Sequence, residues 1–280
     1  MPELVGPTCV LCGRTDRERL HDLPYGVIMR CRGCNLVSML DEKTNHFPSC
    51  AYDQTYYRKK PGHQAGYKDY FGEELPERRK LAEVFAEALV ATPSTIERSL
   101  DVGCGGGYLV EALHLLGVRA FGVDGSEYAI GRAAHRTENC RFICGDLRSP
   151  EVVENGPYDV ITMMDFLEHV ENPVAEISAA CSLLAANGRL VVMTPHYGKR
   201  LSKAQGRDYV QFKPDHLYHF DEDTLVRVME KAGPGTVAVS EVIPWVESRG
   251  ARPPHEFLHK YSQERENVLA VYTAPHDDTA

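Results

Sequence analysis

Ser99-Leu100-Asp101-Val102-Gly103-Cys104-Gly105-Gly106-Gly107-Tyr108-Leu109-Val110 is the stretch that decides how this chain folds. An apolar run ends on an acid. Glycines follow at every second position, and a helical pattern of apolar residues begins at once. Glycine has no Cβ and adopts positive φ, so backbone can approach a ligand closely there. Strand, glycine turn and helix in that order form a nucleotide-binding turn of a parallel α/β sheet. The spacing is G-x-G-x-G. A dinucleotide fingerprint counted from Gly103 needs its third glycine at 108, where Tyr108 stands. Dinucleotide sites also turn helix amides toward a pyrophosphate. This turn therefore suits a nucleoside ligand without phosphate, held on a glycine floor by polar anchors.

Working outward, the chain keeps an alternating strand–helix rhythm, the mark of an α/β fold with helices on both faces of one sheet. Strands are expected over 98–103, 119–123, 141–144, 158–164 and 189–195, with a helix opening near Gly107. A helix over 222–232 and strands over 236–244 and 267–273 complete the set. The second strand ends at Gly122-Val123-Asp124, about 20 residues past the first glycine, where a carboxylate can accept from both hydroxyls of a ribose. Asp124 is free for that role because Ser126 can cap the next helix. Gly145-Asp146-Leu147 follows the third strand. Asp146 there is either a ligand contact or a turn former.

Asp101, Gly103, Gly105 and Gly107 complete the pattern acid-x-G-x-G-x-G, and on these residues the chain resembles the class I S-adenosylmethionine-dependent methyltransferases. The resemblance implies a Rossmann-like seven-stranded sheet whose last strand is antiparallel, with S-adenosylmethionine as cofactor. It implies that Asp124 holds the ribose, with Gly125 and Ser126 beside it. It further implies that Asp146 reaches the adenine amino group, that the Leu147 amide meets a ring nitrogen, and that Met164 lies at the same pocket. The segment Leu167-Glu168-His169-Val170 is similar to a subgroup that methylates small metabolites, including ubiquinone precursors and sugars.

His169 is accordingly a candidate general base or substrate contact. The other reading is a ring that bonds the backbone and holds its loop. Asp165, Glu168 and His169 form acid-x-x-acid-His, and His216 follows in Lys213-Pro-Asp-His-Leu-Tyr-His-Phe220. The pattern resembles one that holds a divalent ion in small-RNA 3′-end methyltransferases and some quinone O-methyltransferases. Hard carboxylates with imidazole would suit magnesium or manganese. The departure is Asp165, where the metal-binding members carry Glu. Asp165, His169 and His216 are the candidate catalytic residues. His196-Tyr197 and the 216–220 segment are expected to face the same mouth. Met164-Asp165-Phe166-Leu167 replaces the Asn/Asp-Pro-Pro-Tyr turn of nucleobase amine methylation, which argues against that chemistry.

The first 45 residues carry Cys9, Cys12, Cys31 and Cys34 in the pattern C-x2-C-x18-C-x2-C. Two such knuckles supply four thiolates for structural zinc. The alternative is a redox pair. So short a segment cannot bury enough apolar surface to fold alone, so metal would hold it. It reads as a zinc ribbon capping the substrate site, with nucleic-acid contact as the other possibility. Residues 46–95 bring Tyr52, Tyr56, Tyr57, Tyr67, Tyr70 and Phe71, and helical spacing over 74–90. In the resembled family such a segment forms a helical lid. These tyrosines either line the pocket mouth or pack the ribbon onto the core. The expected organisation is thus ribbon 1–45, lid 46–95 and methyltransferase core 96–280.

Of 280 residues, 43% are apolar and 25% charged, ordinary for a globular protein, and the net charge of −9 argues against nucleic acid as the main partner. The start of the chain lacks a charged segment followed by an apolar core, and no run approaches a membrane span. With nine cysteines, four of them paired as C-x-x-C, a reducing cytoplasm is expected. The expected activity is methyl transfer to oxygen or carbon of a small molecule: a sugar, a nucleotide sugar or a natural-product intermediate. The alternatives are a zinc-ribbon RNA methyltransferase and a module that binds the cofactor without catalysis. Oligomeric state is left open.

Overall fold

The structure, a computed structural model, describes residues 8–44, 46–48, 51–59, 65–72, 75–91, 95–137, 139–250 and 266–275. The first seven residues, read above for a leader segment, lie outside the described residues. Three short strands come first: β1 (Arg17–Leu23), β2 (Gly26–Cys31) and β3 (Val37–Leu40). Helices α1 (Gln54–Tyr57) and α2 (Leu75–Val90) follow. The core then runs β4 (Arg98–Val102), α3 (Tyr108–Leu115), β5 (Arg119–Asp124), α4 (Glu127–Arg136), β6 (Arg141–Cys144), α5 (Pro150–Glu154) and β7 (Tyr158–Met164). A 3-10 turn, Leu167–His169, leads to α6 (Pro173–Ser182), β8 (Leu184–Pro195) and α7 (Arg200–Gln205). The chain closes with β9 (Tyr218–His219), α8 (Glu222–Glu230), β10 (Thr236–Glu241), α9 (Val242–Ser248) and β11 (Asn267–Thr273).

The large sheet has seven strands in the order β10-β11-β8-β7-β4-β5-β6. Strands β4 to β8 are parallel, and β11 runs antiparallel to both neighbours. Residues alternate between its two faces. Leu190 and Val192 of β8 join Leu100, Phe121 and Ile161 under α6 and α8. Val191 and Met193 face the opposite way, toward Phe85, Leu113 and Trp245. Strand order reverses between β4 and β7, and open α/β sheets bind their ligands at the carboxyl ends of such a switch point.

Two boundaries differ from the sequence expectation. The strand expected over 236–244 stops at Glu241, because Val242, Trp245 and Val246 bury helically and Trp245 lies 6.1 Å from Phe85 of α2. Pro244 falls in the first turn of α9, where its missing N–H is tolerated. Strand β8 begins at Leu184, not 189, since Leu184 pairs with Tyr158 ahead of a register shift and Asn187 takes φ 59°.

The small N-terminal sheet is not self-contained. Its order is β1-β2-β3-β9, so its fourth strand comes from the core, with Val37 opposite His219 and Ser38 opposite Tyr218.

Candidate active site and the four-cysteine group

A cleft of about 410 Å³ opens at the carboxyl ends of β4, β5 and β7. Its floor is the glycine turn. Asp124 ties that floor together: Oδ2 accepts from the Gly105 amide and Oδ1 from the Ser126 amide, both at 2.8 Å. Burial raises the Asp124 carboxyl above its ordinary value. Ser126 caps α4, accepting from Ala129 N at 3.2 Å, and its hydroxyl donates to the Tyr52 carbonyl. Arg136 braces the turn from behind, donating to the Gly106 carbonyl at 2.6 Å. Asp101 is buried and accepts from Thr162 Oγ1 at 2.7 Å; burial pushes its pKa up to about 7. Gly103 has φ 70°, and a Cβ there would meet the Phe166 ring at 2.5 Å.

Nine of the ten expected cofactor residues line this cleft: Asp101, Gly103, Gly105, Asp124, Gly125, Ser126, Asp146, Leu147 and Met164. Asp146 also makes the turn, accepting from Arg148 N at 2.7 Å. Gly107 is the exception. It sits behind the turn at φ 70°, and a Cβ there would lie 2.3 Å from Phe142. The space its missing Cβ leaves is taken by Phe142 of β6 and Ala133 of α4.

The opposite wall is His169 and the tyrosines. His169 Nδ1 lies 2.7 Å from the Asp215 carbonyl. A carbonyl only accepts, so Nδ1 carries the proton and the lone pair resides on Nε2. Burial lowers the imidazole pKa, and Asp215 opposes that shift. The Asp215 carboxylate in turn accepts from the Tyr56 hydroxyl at 2.9 Å. Tyr52 stands edge-on to both Tyr56 and His169, with centroids 4.8 and 6.2 Å away. Tyr57, Tyr67 and Tyr70 also line the cleft, while the ribbon is joined to the core by the pairing of β3 with β9. The lid tyrosines therefore belong to the pocket. The Tyr70 hydroxyl reaches the turn itself, accepting from Gly106 N at 3.3 Å.

His216 does not face the cleft. It is buried behind His169, with ring centroids 4.8 Å apart. Glu168 is buried there too, accepting from Thr194 Oγ1 at 3.0 Å. Glu168, His169 and His216 offer ligand atoms within 4.8 Å of one another. Asp165 stands apart from this group: it lines the cleft at φ 51°, and its Oδ1 accepts from Asn267 Nδ2 at 3.0 Å. His196 and Tyr197 also miss the cleft. His196 borders a separate cavity of about 170 Å³ with Lys199 and Glu241, and Tyr197 packs on Phe212. Asp215 and Tyr56 were not singled out as catalytic in the sequence. Their signal is weak, since Asp215 meets His169 through a backbone oxygen 46 positions away.

Cys9, Cys12, Cys31 and Cys34 converge with all sulfurs within 4.8 Å, and Cys9–Cys34 and Cys12–Cys31 lie at 3.4 Å. None of the four is in a disulfide. Four converging sulfurs, three of them on buried residues, are the donor set of a closed tetrahedral site.

A glycine turn, a buried carboxylate that ties it together and a histidine on the facing wall meet at the switch point of an α/β sheet, the place where such sheets bind their ligands. The profile of a methyltransferase domain family matches residues 71–238, more than half of the chain. The chain belongs to that family and is an S-adenosylmethionine-dependent methyltransferase. The ubiquinone biosynthesis O-methyltransferase of Burkholderia multivorans is 34% identical over 157 residues, which cover 49% of this chain and 67% of that protein. A plantazolicin methyltransferase, BpumL, solved with a pentazolic desmethyl analogue and SAH, superposes with a TM-score of 0.57 at 18% identity, covering 74% of this chain and 88% of its own. A chain from the complex of the Haloferax volcanii Trm112 methyltransferase activator with a methyltransferase gives 0.56 at 19% identity, covering 74% of this chain and 95% of its own. These two structural likenesses show the fold alone. No helix among the described residues is long and apolar enough to cross a membrane.

Proposed function

We propose that this enzyme methylates an oxygen of a small-molecule acceptor, with His169 as the base. The observation that carries this is the committed Nδ1 of His169, which leaves the Nε2 lone pair on a ring that lines the cleft. Bound S-adenosylmethionine supplies a methyl carbon on a sulfonium, already activated for in-line displacement. The protein's own task is then alignment and proton removal. Asp124 would hold the ribose, and Asp146 with the Leu147 amide would hold the adenine. The acceptor O–H would lie against Tyr52 and Tyr56 and pass its proton to His169 Nε2. Asp215 and Tyr56 keep the imidazole in the tautomer that can take it. An aromatic-walled cleft of this size suits a sugar, a nucleotide sugar or a natural-product intermediate. The relatives' involvement in ubiquinone biosynthesis adds quinone precursors to that range.

A divalent cation is a second reading with its own support. Glu168 Oε1 and His216 Nδ1 are buried without a hydrogen-bond partner, beside His169. Burial raises the Glu168 carboxyl and lowers the His216 imidazole, a cost that a cation bound by Glu168, His169 and His216 would relieve. Held behind the cleft wall, it would act through His169, the one member of the set that lines the cleft. Asp165, committed to Asn267, is outside that set. We assign the four-cysteine group to structural zinc, and a chain whose cysteines serve metal and not disulfides to a reducing cytoplasm.

The test is transfer of labelled methyl to a panel of nucleotide sugars, phenols and quinone precursors, with and without EDTA, and with total RNA as a parallel acceptor. Label on a small molecule that survives EDTA supports the metal-free base. Loss with EDTA and return with magnesium selects the cation. Label on RNA alone overturns the proposal.

A further inference from the structure

The ribbon and the acceptor wall are joined by a continuous backbone path. Val37, three residues after Cys34, opens β3, which pairs with β9. The Met39 amide donates to the Leu217 carbonyl at 2.9 Å, and the Leu217 amide donates to the Glu168 carbonyl at 2.7 Å. Leu217 thus bonds the ribbon on one side and the His169 turn on the other. Asp215 and His216, the two residues before it, are the ones that touch His169. Tyr218 adds a second tie, donating to the Glu171 carbonyl at 2.9 Å. The core grips the knuckle directly as well: Arg227 of α8 donates to the Cys34 carbonyl at 3.1 Å. Cys9, Cys31 and Cys34 lie in the same buried apolar cluster as Leu167, Leu217 and Tyr218. The cofactor floor is held by other means, through Asp124 and Arg136.

We propose that the four-cysteine group positions the acceptor wall through β9, so that metal loss there stops methyl transfer and leaves cofactor binding in place. The inference rests on the reading of His169 and Asp215 as the acceptor side. A closed thiolate site contributes folding energy to the segment that carries it. When that segment loosens, β3 releases β9, and Leu217 no longer fixes residues 213–217 against His169. A displacement of about 1 Å in a reacting group costs up to about a hundredfold in rate. The ribbon is thereby a metal-dependent switch on turnover.

The experiment uses the full chain in three states: metal-loaded, stripped with a chelator under reducing conditions, and reloaded with one equivalent of zinc chloride. Cys31→Ser and Cys34→Ser accompany it as variants. Metal content, SAH affinity, amide exchange across 213–219 and the His169 imidazole NMR signals are read on each. Stripping is expected to speed exchange at 215–219 by about tenfold or more and shift the His169 signals, with SAH affinity within about threefold. Reloading restores both. Unchanged exchange and unchanged imidazole signals would make the ribbon a passive appendage and overturn the proposal. Parallel loss of SAH affinity would also overturn it, since the ribbon would then be holding the whole fold. These readouts need no acceptor, so failure to find a methylated product counts against the proposed reaction and not against this coupling.

Discussion

Asp124→Ala separates what holds the cofactor floor from what the floor holds. In the structure both carboxylate oxygens are engaged by backbone amides, at 2.8 Å each, from the two turns that make the floor. Hydrogen bonds to a charged group contribute about 1.5–3 kcal/mol apiece. The gross loss is offset twice. The burial that raises the Asp124 pKa is relieved, and the freed amides can meet water in an open cleft. A net destabilisation of about 2 kcal/mol remains. With an unfolding entropy of about 2.1 cal/mol/K per residue, that lowers the melting temperature of a chain this size by about 3–4 °C. On the proposed ribose role, cofactor affinity falls as well, by about 1.5–3 kcal/mol, or roughly ten- to 150-fold. Asp124→Asn is the sharper variant. Its amide offers one acceptor, so its NH₂ must face a backbone N–H, donor to donor. Asn should therefore resemble Ala. Calorimetric titration of SAH and thermal melts on wild type and both variants decide it. Wild-type affinity in Asp124→Asn would refute the reasoning, since neither clamp nor ribose would then need a carboxylate.

Three further outcomes follow from the same geometry. Asp101, with its pKa near 7, is neutral below that pH and ionised above it, so affinity for the cationic sulfonium cofactor should rise about tenfold from pH 6 to 8 and flatten in Asp101→Asn. The sign reverses for the ligand-free fold, where a raised carboxyl pKa makes this group's contribution to stability fall as pH rises from about 4 to 7. Gly107→Ala should lower the melting temperature by several degrees, about 2–4 kcal/mol from the φ 70° strain and the Phe142 clash, yet leave SAH affinity intact; a selective loss of affinity would return Gly107 to the floor. Tyr56→Phe removes the donor to Asp215, and kcat should drop about tenfold, or 1.4 kcal/mol, at constant SAH affinity; an unchanged kcat would remove Tyr56 from the acceptor wall.

The cofactor half was legible because it is local. Asp101 to Gly107 is one strand end and its turn, Asp124 ends the next strand and Asp146 follows the one after by two residues, so spacing alone places them at one edge of the sheet. The four cysteines are legible for the same reason. Gly107 stands outside the cleft lining although it completes the motif, because a positive-φ glycine looks the same in sequence whether its missing Cβ makes room for a ligand or for a phenyl ring. The α9 boundary is hidden because Val242 to Val246 is apolar enough to extend β10, and its helical burial shows only in the packing of Val242, Trp245 and Val246 with Phe85 and its neighbours. His196 and His216 were placed at the mouth by strand ends alone. Their burial depends on which side of β8 and of the His169 turn they fall, which spacing does not encode.

The acceptor half is opaque for a deeper reason. Tyr56 comes from the segment before the core, His169 from the turn after β7, and Asp215 from the loop before β9. Each contact crosses tens of residues: 159 positions separate Tyr56 from Asp215, and 46 separate His169 from Asp215. The key bond is accepted by a backbone carbonyl, which any residue at 215 could supply. Tyr56, His169 and Asp215 can change their side chains with little effect on the glycine floor, because the bonds among them are separate from the Asp124 and Arg136 bonds that hold it. That separation explains why the sequence identifies the cofactor and leaves the acceptor open. It also makes a direct demand on substitution data: changes at Tyr52, Tyr56 and Asp215 should alter which acceptor is used, or how fast, while SAH affinity tracks Asp124 and Asp146.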